Sequence, residues 1–293
     1  MHDAAAALLK DGEIVAFVEE ERFSRRKHTT EFPHHAIRYC LDAAGIAKDE
    51  VDHIAFFWVP WKGLLRRGLV SLAGFPSSYA PNTNRYRILR DVLGVRAYVK
   101  DALGFPGRFH FVDHHQAHMA STFFLSPFEE AAVWIADGSG EEATTTYAVG
   151  GGTRLRKLRE VLYPHSLGHL YLCVTEYLGF REQSGEGKVM GLAPYGDPAE
   201  FRDAFKDIIW PTERGGFEMD MSWFDVHLDK KHYVTQKFID RFGPRRARES
   251  KMEPRFENVA AALQEKTEEI ALHALRWLRE ESGRRNLCLA GGV

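Results

Sequence analysis

The chain has 293 residues, 44% of them hydrophobic and 27% charged, with a formal net charge of −2. That is the composition of an ordinary globular protein, long enough for one large or two smaller domains. The near-neutral balance gives no electrostatic basis for nucleic acid or an anionic membrane as a partner, and no apolar run approaches the ~20 residues of a membrane-spanning helix.

Two apolar runs, 5–9 and 14–18, flank Asp11-Gly12, a strong hairpin signal. Pro33 opens a helix that Gly45 ends. A strand is predicted over 53–58. Irregular helix follows over 61–105, interrupted by Gly74, Pro76 and Pro81, and then a short strand over 109–112. Asp113 can N-cap a helix over 114–124. The apolar run 131–136 reads as a strand ending at Asp137-Gly138-Ser139-Gly140-Glu141. Segments 144–149 and 154–162 continue it as a meander. A helix is expected over 167–178 and a glycine-rich loop over 184–193. A long amphipathic helix is expected over 256–282, ended by Gly283. Strand pairs alternating with helices indicate an α/β protein with a mixed sheet. Cys40, Cys173 and Cys288 are odd in number and unclustered in apolar stretches, which predicts buried free thiols. With no basic-then-apolar leader after Met1, that usage predicts a cytoplasmic setting. The first strand has almost nothing before it, and the run 287–290 enters Gly291-Gly292 one residue from the end, so the chain reads as a fragment.

His114 and His118 stand i, i+4 on a predicted helix, which puts two imidazoles one turn apart on one face. Asp137, at the end of the next strand, supplies a third, harder donor. This set suits Fe²⁺ or Zn²⁺ alike; the bland alternatives are a structural or solvated histidine pair and an aspartate serving its own turn. The glutamate of a zinc-protease His-Glu-x-x-His helix is missing, which disfavours that chemistry. Gly138 and Ser139 follow Asp137 in a turn able to bring backbone N–H groups to a phosphate, although the run is not a P-loop. Lys188, among Gly185, Gly187 and Gly191, would reach a nucleotide phosphate or remain solvated. Gly291 and Gly292 would let a ligand lie against bare backbone. Arg22, Arg25, Arg26 and Lys27 form either a solvated loop or an anion-capturing one. His165 and His169 read as helix-entry residues or substrate contacts.

In order, the stretches HDAAAALLKDGEIVAFVEEERFSRRKH (from His2), DHHQAHMAST, ADGSGE, HSLGHLY, GEGKVMGLAPYG and LAGGV resemble the NodU/CmcH-type O-carbamoyltransferases, over residues 2–293. The resemblance implies a ribonuclease H-like fold of the actin, hexokinase and heat-shock ATPase kind. Its first lobe would cover roughly 1–150, with an incomplete second lobe over 151–293 and a C-terminal YrdC-like domain lying outside this chain. It implies carbamoyl phosphate, ATP and a hydroxyl acceptor as small-molecule substrates. A carbamoyl-adenylate would form in the YrdC-like domain, and the carbamoyl group would then pass to a sugar or antibiotic hydroxyl. His114, His118 and Asp137 would be metal ligands, joined by a further aspartate beyond residue 293. His2 and Lys27 would face the carbamoyl group, and Gly138, Ser139, Lys188, Gly291 and Gly292 would lie near the nucleotide. The family normally has an apolar strand before His2, which this sequence lacks. A metal- and nucleotide-binding module without turnover, a threonylcarbamoyl-transfer ATPase of tRNA modification and a sugar kinase on the same fold remain the alternatives.

Overall fold

The computed structural model describes residues 3–73, 83–226 and 232–293; His2, Gly74, Pro76 and Pro81 lie outside them. Along the chain the elements are β1 (Ala5–Lys10), β2 (Glu13–Glu19), α1 (Glu21–Ser24), α2 (His34–Ala44), β3 (His53–Phe56), α3 (Leu64–Ala73), α4 (Thr83–Ala97), β4 (Arg108–Phe111) and α5 (His114–Phe123). They continue as β5 (Glu130–Ala136), β6 (Ala143–Gly151), β7 (Arg154–Leu162), α6 (Leu167–Tyr177), α7 (Glu186–Leu192), α8 (Arg202–Ile208), β8 (Ile209–Pro211), β9 (Phe217–Met219), α9 (Gln236–Phe242), α10 (Pro254–Ser282) and β10 (Leu287–Ala290). The chain divides into two compact units. One holds β1 to β4 with α1, α2 and α4; the other holds α3 and everything from α5 onward. Residue 150, where the sequence reading put the end of a first lobe, falls inside the β6–β7 pairing of the second unit.

In the first unit β1 and β2 form the expected antiparallel hairpin, with Asp11 and Gly12 both at positive φ, 53° and 89°. This is the backbone that a tight two-residue turn demands and that Asp-Gly supplies at low cost. Helix α2 packs on this hairpin through Ala36 and Cys40. Its N-terminus is served by a residue the sequence reading passed over. Glu20, only 3% exposed, accepts hydrogen bonds from the backbone N–H of Ala36 (2.9 Å) and His35 (3.4 Å), and also meets the His35 ring at 2.5 Å. Burial raises the carboxyl's pKa, but the Ala36 and His35 donors outweigh it and lower the pKa overall. The Glu20 contribution to stability is therefore complete above the ordinary glutamate range and lost as pH falls through the lowered value. Glu20→Ala is expected to weaken this unit by about 1–3 kcal/mol, because it strands buried donors. Denaturant unfolding with hydrogen exchange along α2 reads the loss.

In the second unit the sheet order is β10-β5-β6-β7, with β10 parallel to β5 and the β5–β6–β7 meander antiparallel. After Glu130, β5 is wholly apolar and buried on both faces, the pattern of a central strand. Ala132, Trp134 and Ala136 face the main core with Leu170, Val174 and Tyr177 of α6 and Leu263, Ile270 and Leu278 of α10. Ala131, Val133 and Ile135 face Met119 and Phe123 of α5, and Cys288 of β10. A Cβ on Gly150 would lie 2.6 Å from the Phe123 ring, so glycine there lets α5 settle onto β6. The protein is thus α/β, with a mixed sheet and helices on both faces of it.

The glycine-rich stretch expected as a loop is instead largely helical, since α7 runs through Gly187 and Gly191. Buried Val189 and contacts with α6 and α10 hold it, and tertiary packing overrides the poor propensity of glycine. All three cysteines are free and buried. Among the described residues no helix is long and apolar enough to cross a membrane.

Candidate metal centre

Helix α5 starts as its sequence dictates: Asp113 is the N-cap, its carboxylate accepting from the Gln116 N–H at 2.9 Å. The cap sets the helix phase that turns His114 and His118 toward the end of β5, where Asp137 follows the last strand residue. His114 Nε2 lies 2.9 Å from Asp137 Oδ2, His118 Nε2 lies 3.7 Å from the same oxygen, and the two Nε2 atoms are 3.1 Å apart. The three side chains are half-buried, at 17%, 29% and 18% exposed for His114, His118 and Asp137.

This donor set fits a single divalent cation. Metal–ligand bonds of about 2.1 Å place neighbouring donors about 3.0 Å apart in an octahedron and about 3.4 Å apart in a tetrahedron, and the three separations bracket those values. Two imidazoles and one carboxylate on one side of an ion suit Fe²⁺ or Zn²⁺ and leave positions open for other ligands. Burial pushes the Asp137 carboxyl up, but hydrogen bonds from His114 and His118 prevail and hold it far below the usual carboxylate range. It is an anion at any working pH, the form a ligand needs.

The other carboxylate oxygen ties the triad to the end of the sheet, because the Gly292 N–H donates to Asp137 Oδ1 at 3.3 Å and the Val293 N–H to Ala136 O at 3.2 Å. Gly291 has φ +111°, and a Cβ there would lie 2.0 Å from Ala136 O. Residues 138 and 139 follow directly. Ser166 Oγ donates to Gly138 O at 2.7 Å, and a Cβ on Gly168 would lie 2.7 Å from Gly138 N. The structure thus gathers His114, His118, Asp137, Gly138, Ser139, Gly291 and Gly292 in one unit. Lys188 is exposed on α7, and no hydrogen bond or ion pair links it to this group among the described residues. Lys27 is exposed and belongs to the other unit. In the cationic stretch, Arg22 pairs with Glu19 at 3.3 Å and Arg26 with Glu31 at 2.6 Å, so two of its charges are answered internally. His165 accepts from the Met219 N–H at 3.0 Å, a structural use.

Several residues support the site from outside the donor set. Glu141, 2% exposed, accepts from the Val59 N–H at 2.7 Å and from the His114 N–H at 3.1 Å. Asp113 also pairs with Lys62 and, at 3.3 Å, with Lys157, which in turn meets Glu160 at 2.7 Å. His115, 1% exposed, bonds Thr146 Oγ1 through Nδ1 at 2.8 Å, and burial lowers its pKa to about 4, so it is neutral. Glu141 stands at the end of the 137–141 run, but neither its burial nor its partner at residue 59 has a signal in the sequence.

The family model described as "Carbamoyltransferase N-terminus" matches residues 1–65 and 72–293. The uncharacterized protein sll1178 of Synechocystis is 42% identical over 312 residues, covering 100% of this chain and 49% of that protein. The nodulation protein NolNO of Sinorhizobium fredii is 35% identical over 302 residues, covering 100% of this chain and 41% of that protein. The chain therefore spans less than half the length of these relatives. Among solved structures, the Aquifex aeolicus Ppx/GppA phosphatase aligns with 98% of this chain and 90% of that chain at 14% identity and a TM-score of 0.29, too loose to bear on the fold. Two aligned stretches covering all but six residues, and relatives 42% and 35% identical across the whole of this chain, lead to one conclusion: the chain belongs to the Carbamoyltransferase N-terminus family.

Proposed function

We propose that this chain is the metal-holding, carbamoyl-transferring part of an O-carbamoyltransferase, with a fold of the actin, hexokinase and heat-shock ATPase kind. The observation that supports this reading most is the convergence of His114, His118 and Asp137 in a chain of this family, with ligand atoms all within 4.8 Å of one another. His114, His118 and Asp137 hold Fe²⁺ or Zn²⁺, which when bound supplies Lewis-acid stabilisation of negative charge on a phosphate or carbonyl oxygen. The backbone at Gly138, Ser139, Gly291 and Gly292 receives the nucleotide, and Lys188 approaches its phosphates. In the transfer, the acceptor hydroxyl oxygen bonds to the carbamoyl carbon. The bond from that carbon to the adenylate phosphate breaks, AMP leaves with the electron pair, and the hydroxyl proton passes to a base. On the family resemblance His2 is that base, and Lys27 steadies the developing charge. Carbamoyl phosphate and ATP form the carbamoyl-adenylate in a YrdC-like domain elsewhere in the full protein. The acceptor is a sugar or antibiotic-like hydroxyl compound in the cytoplasm.

Supplying ready-made carbamoyl-adenylate with a set of hydroxyl-bearing sugars tests this. The expected result, read by mass spectrometry, is a carbamoyl ester whose formation stops when the divalent cation is chelated and resumes on its return. Phosphorylated sugar would instead mark a kinase. Release of carbamate alone, with every acceptor unmodified, would leave a binding module.

A further inference from the structure

The segment from residue 59 to the start of α3 lies as a strap across the loop that follows Asp137. The Val59 N–H donates to Glu141 Oε1 at 2.7 Å, and Lys62 pairs with Asp113 at the head of α5. Gly63, at φ +79°, passes so close that a Cβ would lie 2.2 Å from Glu141 O. Arg66 Nε donates to Tyr163 O at 2.5 Å. Arg67 makes the densest set: Nε donates to Glu141 O at 3.0 Å, and Nη2 to Gly140 O at 2.7 Å and Ser139 Oγ at 3.4 Å. Its guanidinium carbon also stands 5.0 Å from the centre of the Tyr163 ring. Residues 66–71 fall between the two stretches of the family match. Asp137, by contrast, is fixed by the sheet, through its N–H to Thr144 O at 2.9 Å.

We propose that Arg67 is a positioning residue: its planar fork clamps the carbonyls of residues 140 and 141 and so presents the loop 138–141 to the ligand, without taking part in holding the metal. The assignment rests on the reading above that this loop faces a nucleotide. Holding two carbonyls outward fixes both peptide planes, and a rigid loop binds without first being ordered. Lysine has one compact ammonium and cannot span two carbonyls and an aromatic face together.

The test compares the whole chain with Arg67→Ala and Arg67→Lys, using hydrogen exchange over residues 138–142, cobalt(II) content and absorption spectrum, and ATP affinity. In both variants loop exchange is expected to rise about tenfold or more. Cobalt content and spectrum should stay as in the unaltered chain, and ATP binding should weaken about tenfold. Unchanged loop exchange in Arg67→Ala, full protection restored by lysine, or cobalt lost together with loop protection would each overturn the proposal. If Arg67→Ala does not fold, Arg67→Lys alone decides by the same criteria. If the unaltered chain binds no ATP while both variants loosen the loop, the nucleotide reading fails and the clamp stands.

Discussion

Replacing His114 with alanine is expected to lower affinity for Zn²⁺ or Co²⁺ by at least about a hundredfold, a floor set by the tenfold to hundredfold effect of losing even a supporting residue around a metal. The triad is already minimal: one aspartate oxygen and two ring nitrogens, separated by 2.9, 3.1 and 3.7 Å. Removing His114 leaves His118 and Asp137, 3.7 Å apart, as the two remaining donors of the group. Asp137→Asn should act comparably, since it keeps the shape of the side chain and discards the negative charge. Equilibrium dialysis with metal analysis measures both. Unchanged cation content in His114→Ala would remove the ligand assignment and the proposed chemistry that depends on it.

The second large effect is expected at Gly291. Besides leaving bare backbone for a ligand, this glycine meets a need internal to the fold. Its φ of +111° is outside the range that side-chain-bearing residues adopt, and a Cβ would sit 2.0 Å from Ala136 O, a backbone atom with no freedom to yield. Gly291→Ala combines that strain with overpacking, for an expected loss of about 2–4 kcal/mol. The end of β10 would be pushed off β5, and the Gly292 hydrogen bond to Asp137 would go with it. A lower denaturant midpoint together with faster exchange in β10 is the expected reading. An unchanged midpoint would mean that the chain end repacks without penalty and that Gly291 matters only to a ligand.

Much of the site was legible because its signals are local. The helical spacing of His114 and His118, the cap at Asp113 and the strand running into Asp137 lie within a short stretch, and helix phase and strand direction alone bring them together. The hairpin at Asp11-Gly12 was legible for the same reason. The strap was not, because Val59, Lys62 and Arg67 act on Glu141, Asp113 and Gly140, whose identities say nothing about which distant donors will arrive. Glu20 carries no signal for its role either, since it serves a helix that begins at His34. The 184–193 stretch misled in the opposite direction. Its glycines predict a loop by propensity, while one buried valine and a neighbouring long helix make α7 the cheaper conformation.

The wiring of the sheet has a kinetic consequence. Asp137 is 23 residues from His114 but 155 from Gly292. Closing the short span costs about 1.7 kcal/mol less chain entropy than closing the long one, and synthesis delivers α5, β5 and β6 well before β10. During vectorial emergence from a ribosome, His114, His118 and Asp137 can therefore come together while β10 is still to be made. A cation present at that stage would act as a template around which the later strand registers, and refolding started in a chelator should lag most in the pairing of β10.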